Sequence, residues 1–252
     1  MFRLIFPASV RKVNPAVRFM NSLPDFGENF QVPIRDSILP LELTNSHPND
    51  AFVQFFEKDH KYFAFDIPME YSVTTLIGRY FEKFEALKIA EKMISGSKWP
   101  REGYLHQDGQ PYSLEDILKQ WESIGLFSRN RGTWMHYNIE SYLNGLSPAS
   151  QQMPEFEQFL DFYNSHIVAR NMKPFRTEWR IASKELRIAG CVDFICQLPD
   201  GTFEIVDWKR AKDLQDKLTN NYGRKAKLTI SSFDFFKHSL VYYIFEILLE
   251  RL

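Results

Sequence analysis

Asp193, Asp207 and Lys209 stand close together in residues 190–210. An acidic residue on an expected strand is followed there by a turn, and then by Asp-x-Lys at the end of a second strand. Carboxylate oxygens suit Mg²⁺ or Mn²⁺, and such an ion can neutralise phosphate charge and activate water for phosphodiester cleavage. A neighbouring ammonium can orient that water or stabilise the charge that develops on the phosphate. Asp-x-Lys alone is also what a solvated strand face carries, so its surroundings matter. Asp193 lies between Val192 and Phe194, and Asp207 follows the run Phe203 to Val206, interrupted only by Glu204. Carboxylates at the ends of apolar strands are costly to bury unless they are paired or bound to a cation.

The elements that must position these groups can be read from local pattern. Side chains alternate faces along a strand, so Cys191, Asp193 and Ile195 are expected on one face and Val192, Phe194 and Cys196 on the other. By the same parity Asp207 and Lys209 point together, opposite Val206 and Trp208. Pro199, Asp200 and Gly201 supply turn chemistry that joins the two strands as a hairpin. Upstream, residues 175–182 have the aromatic and β-branched content of a third strand, which carries Glu178, and Ser183 and Lys184 begin its turn. Three antiparallel strands would bring Glu178, Asp193, Asp207 and Lys209 towards one edge of a sheet.

A second fragment reads as a short helix over residues 131–145. Met135, Ile139, Tyr142 and Leu143 make its apolar face, and Gly145 stops it. His136 and Glu140 are one turn apart and share a face. A neutral imidazole can complete a divalent-metal site, and Glu140 could orient it or add an oxygen. A surface His–Glu pair would have the same spacing.

Taken in order, Gly132-Thr133, His136, Glu140, Glu178, Gly190-x-x-Asp193, Asp207-x-Lys209 and an amphipathic C-terminal helix resemble the RecB-like branch of the PD-(D/E)XK nuclease superfamily. That branch includes the RecB and AddB nuclease domains, Cas4-type exonucleases and the mitochondrial genome maintenance exonuclease. The resemblance covers about residues 70 to 250 and lies in the ordered set, since each motif is short. It implies an α/β fold with α+β character, a restriction-endonuclease-like mixed central sheet with flanking helices, and a one-ion or two-ion Mg²⁺ or Mn²⁺ site. His136, Asp193 and Asp207 would be the metal ligands, and Asp193, Asp207 and Lys209 the catalytic group. Glu178 and Glu140 would be accessory. Residues 72–76 resemble the Ser/Thr-rich start of the helix that opens such domains. The implied activity is that of a DNA exonuclease in repair, recombination or genome maintenance, with single-stranded DNA or duplex ends as partner.

One departure stands out. The family's Gln-x-x-x-Tyr motif aligns with Val241 and Phe245. Tyr242, Tyr243 or His238 could stand in for the lost groups. A nuclease-like binding or interaction protein without turnover is therefore the competing expectation. Arg210 and Lys212, with Arg224, Lys225 and Lys227, could line a substrate groove or simply be solvated loops. Trp208, Tyr222 and Phe233 could stack on bases.

The remaining sequence bounds these readings. The chain has 252 residues, with 31 basic and 32 acidic ones, a balance that counts against a large non-specific nucleic-acid surface. No apolar run approaches the roughly 20 residues that cross a membrane, so a soluble protein is expected, and the cysteine usage points to a reduced intracellular compartment. Two cysteines at opposite strand parity disfavour a mutual disulfide and fall short of a four-thiolate cluster. Arg3, Arg11, Lys12 and Arg18 precede the first acidic residue, Asp25, a pattern compatible with a mitochondrial presequence although Pro7 and Pro15 interrupt it; nuclear or cytoplasmic placement is the alternative. Residues 1–68 read as an N-terminal extension and linker, and 69–252 as the nuclease-like domain. Helices are expected from Ser72 to Ile94 with Gly96 ending it, from Ser113 to about Ile124, and from Pro154, where Phe156, Phe159, Leu160, Tyr163 and Ile167 would pack.

Overall fold

The computed structural model describes the backbone of residues 4–5, and residues 23–35, 37–80, 83–210, 244, 245, 248 and 249. Outside these lie Arg3, Arg11, Lys12 and Arg18 of the basic N-terminus, Phe81, and Lys212, Tyr222, Arg224, Lys225, Lys227, Phe233, His238, Val241, Tyr242 and Tyr243. In chain order the elements are β1 (Leu4–Ile5), α1 (Pro40–Thr44), a 3-10 turn (Pro48–Phe52), β2 (Val53–Phe56), β3 (Lys61–Ala64), β4 (Ile67–Pro68), β5 (Tyr71–Ser72), α2 (Val73–Gly78), α3 (Ala86–Ile94), α4 (Leu114–Leu143), α5 (Pro154–Phe162), a π-helical turn (Tyr163–Val168), β6 (Lys173–Ser183), β7 (Ile188–Gln197) and β8 (Phe203–Val206). Helices and sheets are thus mixed, as an α/β protein requires. No helix among the described residues is long and apolar enough to cross a membrane.

The chain forms two compact units. The smaller comprises residues 24–32 and 83–134. Its core gathers Ala90, Met93 and Ile117, with Trp99, Tyr104 and Trp121 packed around them. Ser113 caps α4 as its sequence suggests: its hydroxyl accepts from the Asp116 amide at 3.2 Å, and its own amide donates to the Asp116 carboxylate at 2.9 Å.

The larger unit comprises residues 1–23, 33–82 and 135–252. Its five-stranded sheet is built around β7. Along one edge β7 pairs antiparallel with β6; on the other it pairs parallel with β5 at Ile188 and Ala189, and antiparallel with β8 from Phe194 to Gln197. The β7–β8 hairpin closes through the expected turn. Leu198 and Thr202 are hydrogen-bonded at 2.8 Å, and Gly201 takes φ +85°, which glycine adopts without strain. Val73, Ile77, Trp179, Ile181, Val192, Ile195, Ile205, Phe245 and Leu248 form the core cluster. A second, three-stranded antiparallel sheet, β2-β3-β4, packs Val53, Tyr62 and Ala64 against Ala182 and Ala189. It lies in the segment whose Pro-broken sequence reads as a linker.

Three expectations need correction. The apolar stripe from Ser72 to Ile94 does not make one helix. Ser72 does cap α2, accepting from the Thr75 amide at 3.1 Å, but α2 ends at Gly78, where a glycine interior would cost about 1 kcal/mol. Tyr80, Phe84 and Leu87, which one continuous helix would set at helical spacing on its apolar face, are exposed. Conversely, the two short helices expected at Ser113–Ile124 and Arg131–Gly145 are the single helix α4. No proline interrupts it, and isolated Gly125 and Gly132 weaken a helix without ending it. Gly145, at φ +73°, ends it, with the Leu146 amide reaching back to the Ser141 carbonyl at 2.9 Å. Finally, strict alternation fails on β7. Ile195 joins Val192 in the core cluster, whereas the consecutive residues Asp193 and Phe194 both engage Trp208, the first through its amide and the second by ring stacking.

Among the described residues, the buried charges Glu204 and Arg176 of this unit are paired. Glu204, fully buried on β8, takes an ion pair from Arg170 at 3.1 Å and a contact from His166 at 2.7 Å. Arg176 on β6 donates to Asp50 at 2.7 Å and to the Asn45 carbonyl at 2.9 Å, and Trp179 donates its indole N–H to the same carboxylate at 2.7 Å. Burial pushes the Asp50 carboxyl up, but the bonds from Arg176, the His47 amide and Trp179 together hold it below its ordinary value.

Two outcomes are expected. A depressed carboxyl stabilises the fold above its unfolded pKa, about 3.9, and that contribution disappears as pH falls through the lower folded value. Asp50→Asn should therefore cost about 3 kcal/mol at neutral pH, because Arg176 is left buried and uncompensated. Urea unfolding should find the gap between variant and wild type narrowing below about pH 4. Separately, a Cβ on Gly190 would meet Phe245 Cε1 at 2.6 Å and Val73 Cγ2 at 2.8 Å. Gly190→Ala should lower the unfolding free energy by roughly 1–3 kcal/mol, as overpacking does; an unchanged denaturation midpoint would contradict this.

Candidate metal centre

His136, Glu178 and Asp193 converge in the larger unit. Each offers one ligand atom, and the three atoms lie within 4.8 Å of one another. The group is built from three elements: α4 brings His136, while β6 and β7 bring the two acids. The register pairs Thr177 with Phe194 and Trp179 with Val192, which sets Glu178 opposite Asp193. Glu178 adopts φ +42°, an uncommon backbone state for a non-glycine residue and one that tends to cluster at functional sites.

His136 is held at both ring nitrogens. Nε2 lies 3.0 Å from the Trp208 carbonyl oxygen. A carbonyl only accepts, so Nε2 carries the hydrogen, and Nδ1 is the nitrogen that faces the acids. Nδ1 is 3.0 Å from Glu178 Oε1 and 3.8 Å from Asp193 Oδ2. Burial pushes the imidazole towards its neutral form, but the Asp193 and Glu178 carboxylates outweigh it and raise its pKa to about 9.

Asp193 Oδ2 is the focus of the site. It accepts from the Trp208 amide at 2.8 Å, and the Lys209 ammonium stands 3.9 Å away. β8 has left the sheet by this point, so the Asp193 side chain takes up an amide that a longer ladder would have paired. Burial pushes the Asp193 carboxyl up; His136 and Lys209 oppose the rise and Glu178 adds to it, with a net upward result. Lys209 grips Asp207 at 2.9 Å and 2.8 Å through its two oxygens. Burial lowers the ammonium's pKa, but Asp193 and then Asp207 hold it above the ordinary lysine range. Lys209 is therefore a fixed positive charge, still 45% exposed.

The structure redistributes the residues singled out in the sequence. Glu178, expected as accessory, lies with His136 and Asp193 in the candidate group, while Asp207, expected as a ligand, is engaged by Lys209 beside it. Glu140 is bound by Arg35. Arg210 bonds Glu155 of α5 at 2.7 Å, so it contributes an ion pair to the fold. Trp208 packs between Phe194, Phe159 and Phe162 and is buried, which makes it core and removes it as a base-stacking surface. Cys191, 3.4 Å from Glu178, and Cys196 are both free. Burial pushes the Cys191 thiol well up, so it remains a neutral thiol beside the acids.

Arg35 and the Trp208 carbonyl were not found from sequence. Arg35 is an isolated basic residue in an aperiodic segment, and a backbone carbonyl carries no residue signal. An imidazole and two carboxylates suit a divalent cation that accepts nitrogen and oxygen donors, and a cation there would oppose the burial that pushes the Asp193 carboxyl up. No family model matches this chain, and no characterised protein or solved structure is significantly similar to it.

Mn²⁺ binding, followed through the electron paramagnetic resonance of the free ion, should separate ligands from neighbours. His136→Ala and Glu178→Ala are expected to weaken it by more than about 100-fold, and Asp207→Ala by the roughly 10–100-fold that outer-shell partners exert. Equal affinity in wild type and Glu178→Ala would remove Glu178 from the group.

Proposed function

We propose that this chain is a Mg²⁺- or Mn²⁺-dependent deoxyribonuclease of the RecB-like PD-(D/E)XK type, an exonuclease acting on single-stranded DNA or duplex ends. The observation that carries the reading is the meeting of His136, Glu178 and Asp193 with the Asp207–Lys209 pair at Asp193 Oδ2. The ordered motifs from His136 to Lys209 and a mixed sheet flanked by helices also support it, with the restriction-endonuclease-like arrangement as the proposed form of that sheet. A divalent ion there would neutralise phosphate charge and activate water.

The chain's own groups have definite parts in this reading. His136, Glu178 and Asp193 would hold the ion, with the Trp208 carbonyl fixing which imidazole nitrogen faces it. Lys209, charged and partly exposed, would meet the phosphate as charge develops on its oxygens. Asp207 would hold Lys209 in position until substrate arrives. In-line attack of water on phosphorus, with the 3′-oxygen leaving, would yield a 5′-phosphate and a 3′-hydroxyl.

A nuclease-like DNA-binding protein without turnover is the second reading, and the Phe245 position favours it. Where the family has a tyrosine hydroxyl, Phe245 is buried among apolar side chains.

End-labelled single-stranded and duplex DNA with Mg²⁺ or Mn²⁺ separates the two. Wild type should digest it. Asp193→Ala and Lys209→Ala should each lose at least about 100-fold in rate, the scale of removing one charge-stabilising group. Metal-dependent DNA binding without digestion would support the second reading. Equal digestion by all three proteins would sink the site assignment.

A further inference from the structure

The Arg35 side chain engages α4 through Tyr137, Glu140 and Ser141. One guanidinium nitrogen pairs with the Glu140 carboxylate; the other donates to the Tyr137 carbonyl at 2.9 Å and the Ser141 hydroxyl at 2.8 Å. The guanidinium also lies over the Tyr137 ring, 4.3 Å from its centroid. Only the planar, forked donor of arginine satisfies an oxygen set of this shape while stacking on a ring. The partner it engages is the acid placed one helical turn from His136, on the same face of α4. Glu140 is mostly buried, and its carboxyl senses both Glu178 and His136. A third carboxylate beside a cation site would be drawn to the ion, and a site with four protein ligands leaves fewer positions for phosphate and water.

We infer that Arg35 is a positioning residue that keeps Glu140 out of the ligand group, so that the centre keeps three protein ligands and open positions for substrate. This rests on the metal-centre reading above and adds a determinant of coordination number to it. Arg35 acts by charge: it neutralises Glu140 and fixes it along α4. The π-face contact and the bonds to Tyr137 and Ser141 set where that charge sits.

The test compares Mn²⁺ affinity by electron paramagnetic resonance in wild type, Arg35→Gln, Glu140→Gln and the double variant, with circular dichroism melts checking folding. Arg35→Gln retains hydrogen-bonding capacity but lacks the charge. It should bind Mn²⁺ about tenfold more tightly as Glu140 joins the ion, the lower end of what partners of ligands exert. Adding Glu140→Gln should return affinity to the wild-type value, a rescue that a purely structural clamp would not give. Glu140→Gln alone should not tighten Mn²⁺ binding and should weaken it far less than Glu178→Ala, since it removes no ligand but leaves the Arg35 charge uncompensated. That arm carries the test if Arg35→Gln does not fold, since a loss as large as that of Glu178→Ala would make Glu140 a ligand already and overturn the proposal. Unchanged or weakened affinity in folded Arg35→Gln would also overturn it. If wild type does not bind Mn²⁺, or Glu178→Ala binds it equally well, the metal-centre reading itself has failed, which is a different result.

Discussion

The larger unit depends on balancing carboxylates that it cannot leave unpaired. Glu140, Glu178, Asp193 and Asp207 are drawn together where β6, β7, α4 and the segment after β8 meet. Two like charges 4 Å apart repel by about 4 kcal/mol at an effective dielectric constant of 20. That is a large share of the 5–15 kcal/mol that usually separates a folded chain from an unfolded one. Each acid is met by a cation, which for all but Asp207 comes from another part of the chain. Arg35 of the N-terminal segment answers Glu140, His136 of α4 answers Glu178 and Asp193, and Lys209 answers Asp207 and Asp193. The imidazole's raised pKa measures the same imbalance from the other side. The acids win the contest with burial and keep the ring charged to about pH 9.

The sheet reaches this arrangement by breaking its own regularity. β7 is paired along one edge throughout, but its other edge is shared between β5 and β8, whose pairings stop at Ala189 and begin at Phe194. Asp193 falls at the end of that gap. There the strand directs two consecutive residues to Trp208, while Glu178 across from it takes a positive φ. Packing holds the irregularity in place. Phe245 and Val73 close on Gly190 so tightly that no side chain fits there, and Phe159, Phe162 and Phe194 surround the Trp208 ring whose backbone serves both Asp193 and His136.

What the sequence made legible was local. The β7–β8 hairpin, the Ser72 and Ser113 caps and the Gly145 stop were each readable because neighbouring residues determine them. His136, Asp193 and Lys209 could be ranked because their types and order carry chemistry. The misses are all non-local. Residues 53–68 become a sheet only by covering Ala182 and Ala189, whose small side chains gave no periodic signal. Arg35 reaches its partners across about a hundred residues. Glu178, and not Asp207, comes within reach of His136 and Asp193 because the β6–β7 register and its own backbone turn it towards His136, whereas strand parity alone could not separate the two acids. The failure of alternation at Asp193 and Phe194 belongs to the same class, since only the tertiary contacts of Trp208 require it.

The state of Lys209 constrains any hydrolysis at this centre. Its ammonium is clasped by both oxygens of Asp207 and lies within 4 Å of Asp193, and these acids hold its pKa above the ordinary lysine value. A lysine so placed cannot take a proton from water at neutral pH. In the proposed hydrolysis its contribution would be electrostatic, a charge already oriented before substrate arrives. Phe245 bears on the same point. A phenylalanine cannot donate the hydrogen bond of a tyrosine, so its influence on the centre passes through Gly190 and the strand that carries Asp193. Phe245 thus contributes packing, while the charged group at Asp193 Oδ2 is assembled from His136, Glu178, Asp207 and Lys209.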